Sequence, residues 1–425
     1  MKLKIAGGRV LDPSQNLDQV TDLFISEGAV VAIGDAPAEF EADELIDASG
    51  LIVTPGFIDL CAQLGEPGNT HRGTIASETA AAASGGITTL VTPPNTSPIV
   101  DTTAVAELIQ DRASDSGFAR VLPLGALTKG LEGEQLAPLH ALATSGCIGF
   151  TNARQPIASS QVLMRAFEYA ATHDLLVVIQ PEDRTLVASG CMHEGSTSTR
   201  LGLNGIPAAA ETIEVSRCLL LIEETGVRAH FGQLSCAGSV RLIEQARAQG
   251  LPVTADVSIH QLHITDEQVD GFDSLFHVNP PFRSAQDRDG LRKGLASGSI
   301  SAICSDHQPQ DEIAKQAPFA ATEIGISSLE TLLPLGLLIV DQGWLELNQL
   351  IECLTIAPAR ILGIEAGSLA VGSTADLCLF NPEQRWTPSS DTLRSKGKNT
   401  PFKNVELKGR VTLTILGGIP VYRQA

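Results

Sequence analysis

The side chains of this sequence that could do chemistry collect at the ends of short apolar runs. Pro55-Gly56 punctuates the chain, and Phe57-Ile58-Asp59-Leu60 then has the make-up of a short buried strand. Residues two apart on a strand face the same side, so Cys61 and Gln63 look out together. Two imidazoles at that spacing would converge on one divalent ion. A thiol and an amide supply only one good donor between them. Asp306-His307, after the apolar run at 301–304, sets a carboxylate beside a base, with no nucleophile or metal set in the pattern. His260 and His263 stand at another strand end. Rim histidines there are ordinarily hydrogen-bonded, and a relocated metal site is the alternative. Ser235 and Ser305 offer hydroxyls, but no Ser-His-Asp set can be assembled. Gly85-Gly86 reads as a turn at a helix end, not a phosphate loop.

The elements that must position these groups are legible from periodicity. Residues 1–53 carry short alternating runs broken by glycine turns, at 3–6, 22–25, 29–33, 44–47 and 51–53, and read as a small β-domain. From 54 to 364 apolar strands alternate with Ala/Leu-rich helical stretches. The strands fall at 57–60, 88–91, 121–125, 146–151, 176–180, 228–234, 252–257 and 301–304. That alternation predicts an α/β fold, a parallel (β/α)8 barrel whose chemistry sits at the C-terminal strand ends. The tail, 365–425, returns to strands at 376–379, 403–407, 411–416 and 419–422. Both ends are expected to join into one composite β-domain beside the barrel.

Composition narrows the function classes. A 43% hydrophobic share in 425 residues suffices for a large core. A net charge of −20 argues against nucleic acid or an anionic membrane surface as partner. No apolar run approaches the roughly 18–20 residues of a membrane span, and the N-terminus lacks an apolar core of signal-peptide length before its first glycine turn. Eight cysteines without short paired spacing suit reduced thiols, so a cytoplasmic location is expected.

Ordered motifs run through nearly the whole chain: Pro55-Gly-Phe-Ile-Asp-Leu-Cys-Ala-Gln-Leu-Gly-Glu-Pro-Gly68, Gly85-Gly-Ile-Thr-Thr-Leu-Val-Thr-Pro-Pro-Asn-Thr-Ser-Pro98, Glu182-Asp183, Asn279-Pro-Pro-Phe-Arg-Ser284, Ser305-Asp-His307, Leu329-Glu-Thr331, Ala357-Pro-Ala-Arg-Ile-Leu-Gly363, Gly372-Ser-Thr-Ala-Asp-Leu377 and Ser395-Lys-Gly-Lys-Asn-Thr-Pro-Phe402. In these the chain resembles the dihydroorotase family of the amidohydrolase superfamily, in its long multidomain class. The resemblance implies a site for one or two zinc ions at the barrel mouth, where bound water and a carboxylate open a cyclic amide. It also implies that Cys61 and Gln63 stand where the family has His-x-His. Asn152 and Ala153 replace two carboxylates, and Gln180 and Gln233 replace two further histidines. Only Asp306 keeps the family's residue type. One carboxylate cannot hold Zn²⁺, so no metal cofactor is expected and Asp306 reads as a relic.

Substrate-gripping positions are mixed under the same resemblance. Asn95 matches a residue that contacts the substrate carboxylate, although it would also suit a turn cap between prolines. Its arginine partner is replaced by Gly65. Arg283 and His307 fall at vestigial binding positions, Glu323 would bring a negative charge to them, and His71 matches a loop histidine. The reading that follows is a catalytically inactive pseudoenzyme of pyrimidine biosynthesis, resembling the noncatalytic subunit that supports the assembly of bacterial aspartate transcarbamoylase. That implies the transcarbamoylase catalytic chain as partner, and a homo-oligomer. The alternatives are an active dihydroorotase or related zinc cyclic-amide hydrolase using Asp306, His307 and Cys61, and a sensor that keeps a pocket near Asn95 and Arg283.

Overall fold

The computed structural model describes residues 1–424. Eight parallel strands follow one another around a barrel in chain order: Phe57–Asp59, Ile87–Thr92, Arg120–Ala126, Gly149–Thr151, Val177–Ile179, Ala229–Phe231, Val253–Ser258 and Ala302–Cys304. Helices cover the outside, so most strand residues are buried on both faces. This is why the sequence shows continuous apolar runs there and not alternation. The seam between last and first strands closes just beyond their ends. Gln63 N donates to the His307 carbonyl at 2.8 Å, and His307 N to the Cys61 carbonyl at 3.3 Å, around the bridge between Ala62 and His307. That closure brings Cys61, Gln63 and Asp306 to one side of the mouth.

Both chain ends build a second sheet. Lys2–Asp12 pairs antiparallel with Leu17–Ser26 and parallel with Glu44–Asp47 and Ile52–Pro55. Ile52–Pro55 is continued antiparallel by Leu377–Trp386, which pairs with Leu407–Leu416 and through it Ile419–Arg423. Leu3, Ile5, Val10, Leu23, Val53, Leu377, Leu413 and Ile415 form a core of their own under this sheet. Gly86 stands where barrel and sheet meet. Its φ is +82°, and a Cβ there would lie 2.4 Å from Cys378 Sγ and 2.9 Å from the Phe57 ring, so only glycine fits the turn.

One expected strand is absent. The stretch 403–407 is not a strand: a turn covers 401–404, with Lys403 N bonded to the Thr400 carbonyl at 3.4 Å and Asn404 in the left-handed conformation at φ 64°, and the strand begins only at Leu407. Asparagine tolerates that conformation, and its neighbours' alternation concealed the break. The two-residue strands Met192–His193 and Gly205–Ile206 are too short to leave a periodic signal.

Candidate functional site

A cavity of about 280 Å³ opens at the C-terminal ends of the barrel strands. Cys61, Gln63, Asn95, Ala153, Gln180 and Asp306 line it, together with Arg154, Asn279 and Gln308. Six of the sequence-derived positions therefore do converge. Gln180 Nε2 donates to Gln233 Oε1, so two of the three amides standing at histidine positions bond to each other. Gln180 Nε2 also lies 4.0 Å from Cys61 Sγ. Asn152 turns out of the cavity: its Oδ1 accepts from Thr128 Oγ1 at 2.6 Å and its Nδ2 donates to the Leu131 carbonyl at 3.1 Å.

The charged groups here are governed by burial. Asp306 accepts from Gln308 Nε2 at 3.0 Å and Ser258 Oγ at 3.2 Å. Burial raises its carboxyl above the ordinary value, and Arg154 and these two bonds offset only part of that. Burial, then the neighbouring Asp306, Asp59 and Asp256, push the Cys61 thiol well above its usual range, so it is not a free thiolate. His260 Nε2 lies 3.8 Å from Asp306 Oδ2, and neither ring nitrogen has a hydrogen-bond partner. Burial drives that imidazole down to about 3. The ring is neutral at pH 7, so this contact is not an ion pair.

Among the described residues, no three His, Cys, Asp or Glu side chains are grouped to hold a metal ion. The donors facing the cavity are amides, one protonated thiol and one carboxylate, and that set does not fit zinc. The histidines at the other strand end belong to no such group either: His260 has no third donor beside it and Asp306, and His263 Nε2 is spent on the Leu335 carbonyl at 3.0 Å.

Carboxylates behind the cavity fix the mouth. Asp256 Oδ1 accepts from Gln233 N at 2.7 Å, and Asp256 Oδ2 meets His230 Nε2 at 2.9 Å. Asp59 accepts from Ser305 N at 2.8 Å and from the Ser305 hydroxyl. Ala153, Gln233 and Asp306 have φ of 50°, 52° and 48°. Such conformations persist only where surroundings over-determine them; the bond from Gln233 N to Asp256 is one such constraint. Asp59, His230 and Asp256 were not singled out from sequence. Asp59 carried a signal, a carboxylate inside an otherwise apolar strand.

Several gripping positions differ from expectation. Arg283 does not line the cavity: it is buried, donating from Nε to Ser235 Oγ at 3.1 Å and from Nη1 to the Ile206 carbonyl at 2.6 Å. Glu323 is exposed and faces Arg72 Nη1 at 3.4 Å, and Ile324 lines the cavity in its stead. Asn95 stands exposed at the rim and caps no turn among the described residues. Gly65 has φ +73°, and a Cβ there would lie 2.5 Å from the Gly73 carbonyl oxygen, so this loop has closed over the place an arginine would need. His71 is exposed, 3.7 Å from Asp311.

His307 is also absent from the cavity lining. Its Nε2 meets Glu78 Oε2 at 2.9 Å, and its Nδ1 accepts from Ser328 N at 3.0 Å. Glu78 further accepts from Ser395 Oγ at 2.6 Å and Lys396 N at 3.1 Å. Asn399 donates from Nδ2 to the Gln308 and Gly325 carbonyls at 3.0 and 2.9 Å. The tail motif 395–402 is thus a strap tied to the barrel rim, and Glu78 is a buried knot that sequence reasoning missed.

Residues 50–239 match the family model described as Dihydro-orotase-like. A "Dihydroorotase-like protein" of Pseudomonas aeruginosa is 51% identical over 418 residues, covering 98% of this chain and 99% of that protein. A "Dihydroorotase" of Geobacter sp. strain M21 is 42% identical over 423 residues, the full length of both. Among solved structures, the L-hydantoinase (dihydropyrimidinase) from Arthrobacter aurescens superposes with a TM-score of 0.89 at 25% identity, covering 100% of this chain and 96% of that one. Dihydropyrimidinase from Brevibacillus agri NCHU1002 gives 0.83 at 23% over 100% and 95%, a likeness of fold.

Proposed function

The chain belongs to the dihydroorotase-like family, and on that premise we propose that it is a noncatalytic member acting as a structural subunit. The observation that carries this is the Gln180–Gln233 hydrogen bond, which leaves the convergent strand ends amide-paired and poor in metal ligands. Hydrolysis of a cyclic amide at neutral pH needs water activated by a metal or a well-placed base. Asp306 is buried with its oxygens on Ser258 and Gln308, and His307 is bonded on both nitrogens. Neither is available for that work. What remains is a barrel rim held rigid by buried acids and by the tail strap. Such a body can present a fixed surface to another enzyme.

The partner we propose is the catalytic chain of aspartate transcarbamoylase, in an assembly that also contains copies of this chain. A stable contact of that kind buries about 2,000 Å² or more. All eight cysteines are unpaired and buried, which suits the reducing cytoplasm in which that enzyme would be met. Among the described residues no helix is long and apolar enough to cross a membrane.

Purified chain should carry no stoichiometric zinc and should not interconvert dihydroorotate and carbamoyl aspartate. On a sizing column at micromolar concentration, a mixture with transcarbamoylase catalytic chains should elute as one larger complex with raised transcarbamoylase activity. Tightly held zinc with hydrolase activity would establish the alternative of an atypical active dihydroorotase. Separate elution with unchanged transcarbamoylase activity would refute the scaffold role.

A further inference from the structure

A second cavity, of about 420 Å³, lies on the tail sheet and shares no lining residue with the barrel mouth. Trp386, Arg410 and Tyr422 of the tail strands line it, with Arg394 from the segment that leads into the strap. Arg394 Cζ lies 4.9 Å from the centre of the Tyr422 ring, and Arg410 Cζ 5.1 Å from that of Trp386. A ring holds a cation through its quadrupole, which consumes none of the five N–H donors of a guanidinium. Neither guanidinium makes a hydrogen bond or ion pair among the described residues. Acid partners are not scarce: the chain has 49 Asp and Glu against 29 Lys and Arg, and Arg385, beside Trp386, pairs with Glu406 at 2.6 Å. Two acids do line the cavity. Glu330 is spent on backbone and hydroxyl, accepting from Arg394 N at 2.8 Å, Ser395 N at 3.1 Å and Ser84 Oγ at 3.1 Å. Asp391 is exposed and pairs with neither arginine.

We propose that this cavity binds a small phosphate monoester, with its phosphate held between Arg394 and Arg410 and its organic part against the apolar wall of Leu333, Pro334 and Val411. The site is independent of the barrel mouth and of whether that mouth holds a metal. Two unpaired cations on one cavity call for a dianion. A phosphate monoester carries a charge of about −1.5 to −2 at pH 7 and three acceptor oxygens, so both guanidinium forks can bond it at once. A monocarboxylate would balance only one of them. The cavity falls within the roughly 300–1,000 Å³ of small-molecule sites, which leaves room for an organic part beyond the phosphate. The net charge of −20 opposes an anion only weakly, because at physiological salt the Debye length is about 8 Å and the charges in contact decide. Trp386 Nε1 donates to the Gly409 carbonyl at 3.0 Å, which fixes the ring that carries Arg410.

The test is calorimetric titration of the full-length chain with ribose 5-phosphate, and separately with adenosine 5′-monophosphate and inorganic phosphate. Each titration is run on wild type, Arg394→Met, Arg410→Met, Asp391→Asn and Arg385→Met, with thermal melts to show that each variant is folded. The expected result is one ester per chain with Kd at or below about 1 mM for at least one of the two esters, weakened at least about tenfold by Arg394→Met and by Arg410→Met. Asp391→Asn removes a negative charge from the lining and should tighten binding. Arg385→Met, beside the site but already paired, should leave it unchanged. Inorganic phosphate should bind less tightly than the better ester. The chain has two tryptophans, so Trp344→Phe leaves Trp386 as sole reporter, and its fluorescence should change with the calorimetric midpoint. Absence of saturable binding of either ester up to about 10 mM overturns the proposal. So does binding that either Arg394→Met or Arg410→Met leaves unchanged, or that Arg385→Met weakens equally, which would mark a diffuse charge effect. Inorganic phosphate binding as tightly as both esters, or a Trp386 signal indifferent to saturation, also refutes it.

Discussion

Replacing Glu78 by alanine should weaken the fold more than any change at the cavity, although Glu78 touches no cavity atom. The helix Ile75–Ser84 delivers this carboxylate to a fully buried spot between the barrel seam and the tail strap. There it accepts from His307 Nε2 at 2.9 Å, Ser395 Oγ at 2.6 Å, Ser77 Oγ at 2.7 Å and Lys396 N at 3.1 Å. Hydrogen bonds to a charged acceptor contribute roughly 1.5–3 kcal/mol each, but they share one acceptor and do not add. Truncation strands the buried His307 ring and the Ser395 hydroxyl while Ser77, on the helix's first turn, regains water. Removing one partner of such a buried network costs about 3–5 kcal/mol, so about 4 kcal/mol is expected. Ser395→Ala removes a single bond and should cost about 1.5 kcal/mol. The double variant should lose less than the sum, because both changes break the same contact. Equilibrium urea unfolding at pH 7, followed by far-ultraviolet circular dichroism, measures all three. The acid limb gives a second readout. Burial pushes the Glu78 carboxyl up, but His307, Ser395 and Ser77 together hold it below its ordinary 4.5. Its stabilisation is therefore full above pH 4.5 and lost as pH falls through the lowered value, and Glu78→Gln should flatten that limb. A loss under about 1 kcal/mol for Glu78→Ala, or equal losses for Glu78→Ala and Ser395→Ala, would refute the strap as a structural tie.

Asp59 acts in the opposite sense: burial lifts its carboxyl to about 6 despite the bonds from Ser305. The native state then holds a proton that the unfolded chain releases, so stability should fall by about 2–3 kcal/mol between pH 4 and 6, and Asp59→Asn should remove that decline in thermal melts. His260→Leu removes two unpartnered buried ring nitrogens and should leave stability unchanged or raise it by about 1 kcal/mol; a loss above about 2 kcal/mol by urea titration would show that the ring has a partner. Gly65→Arg should fail to restore substrate grip and should destabilise by more than about 2 kcal/mol, from the positive φ and the 2.5 Å approach to the Gly73 carbonyl together; differential scanning calorimetry reads it. Asp306→Asn should leave co-elution with transcarbamoylase chains intact and change stability only slightly at pH 7, since a carboxylate with no cation in contact loses little by becoming neutral; loss of the complex on a sizing column would contradict this.

The sequence by itself determined the framework. Apolar runs of strand length alternating with helical stretches specify a parallel barrel because only strands covered on both faces can be apolar throughout. The residue types at Cys61, Gln63, Asn152, Ala153, Gln180 and Gln233 determined which donors are missing, since ligand chemistry depends on identity before geometry. Cys61 and Gln63 also share the cavity wall, as a period of two requires. Only the tertiary structure decided what those residues do instead. That Gln180 donates to Gln233, that Asn152 turns outward, and that Arg283 and His307 serve the frame depend on contacts between residues 21 to 229 positions apart. No local pattern encodes such contacts. Glu78 and Ser395 are 317 positions apart and read singly as a helix-surface acid and a loop serine. Gly65 reads as a simple loss of arginine until the fold shows the Gly73 carbonyl in the space a side chain would need. Arg154 is an ordinary loop cation in the sequence. It becomes the cavity's one guanidinium because strand closure points eight strand ends at a common mouth.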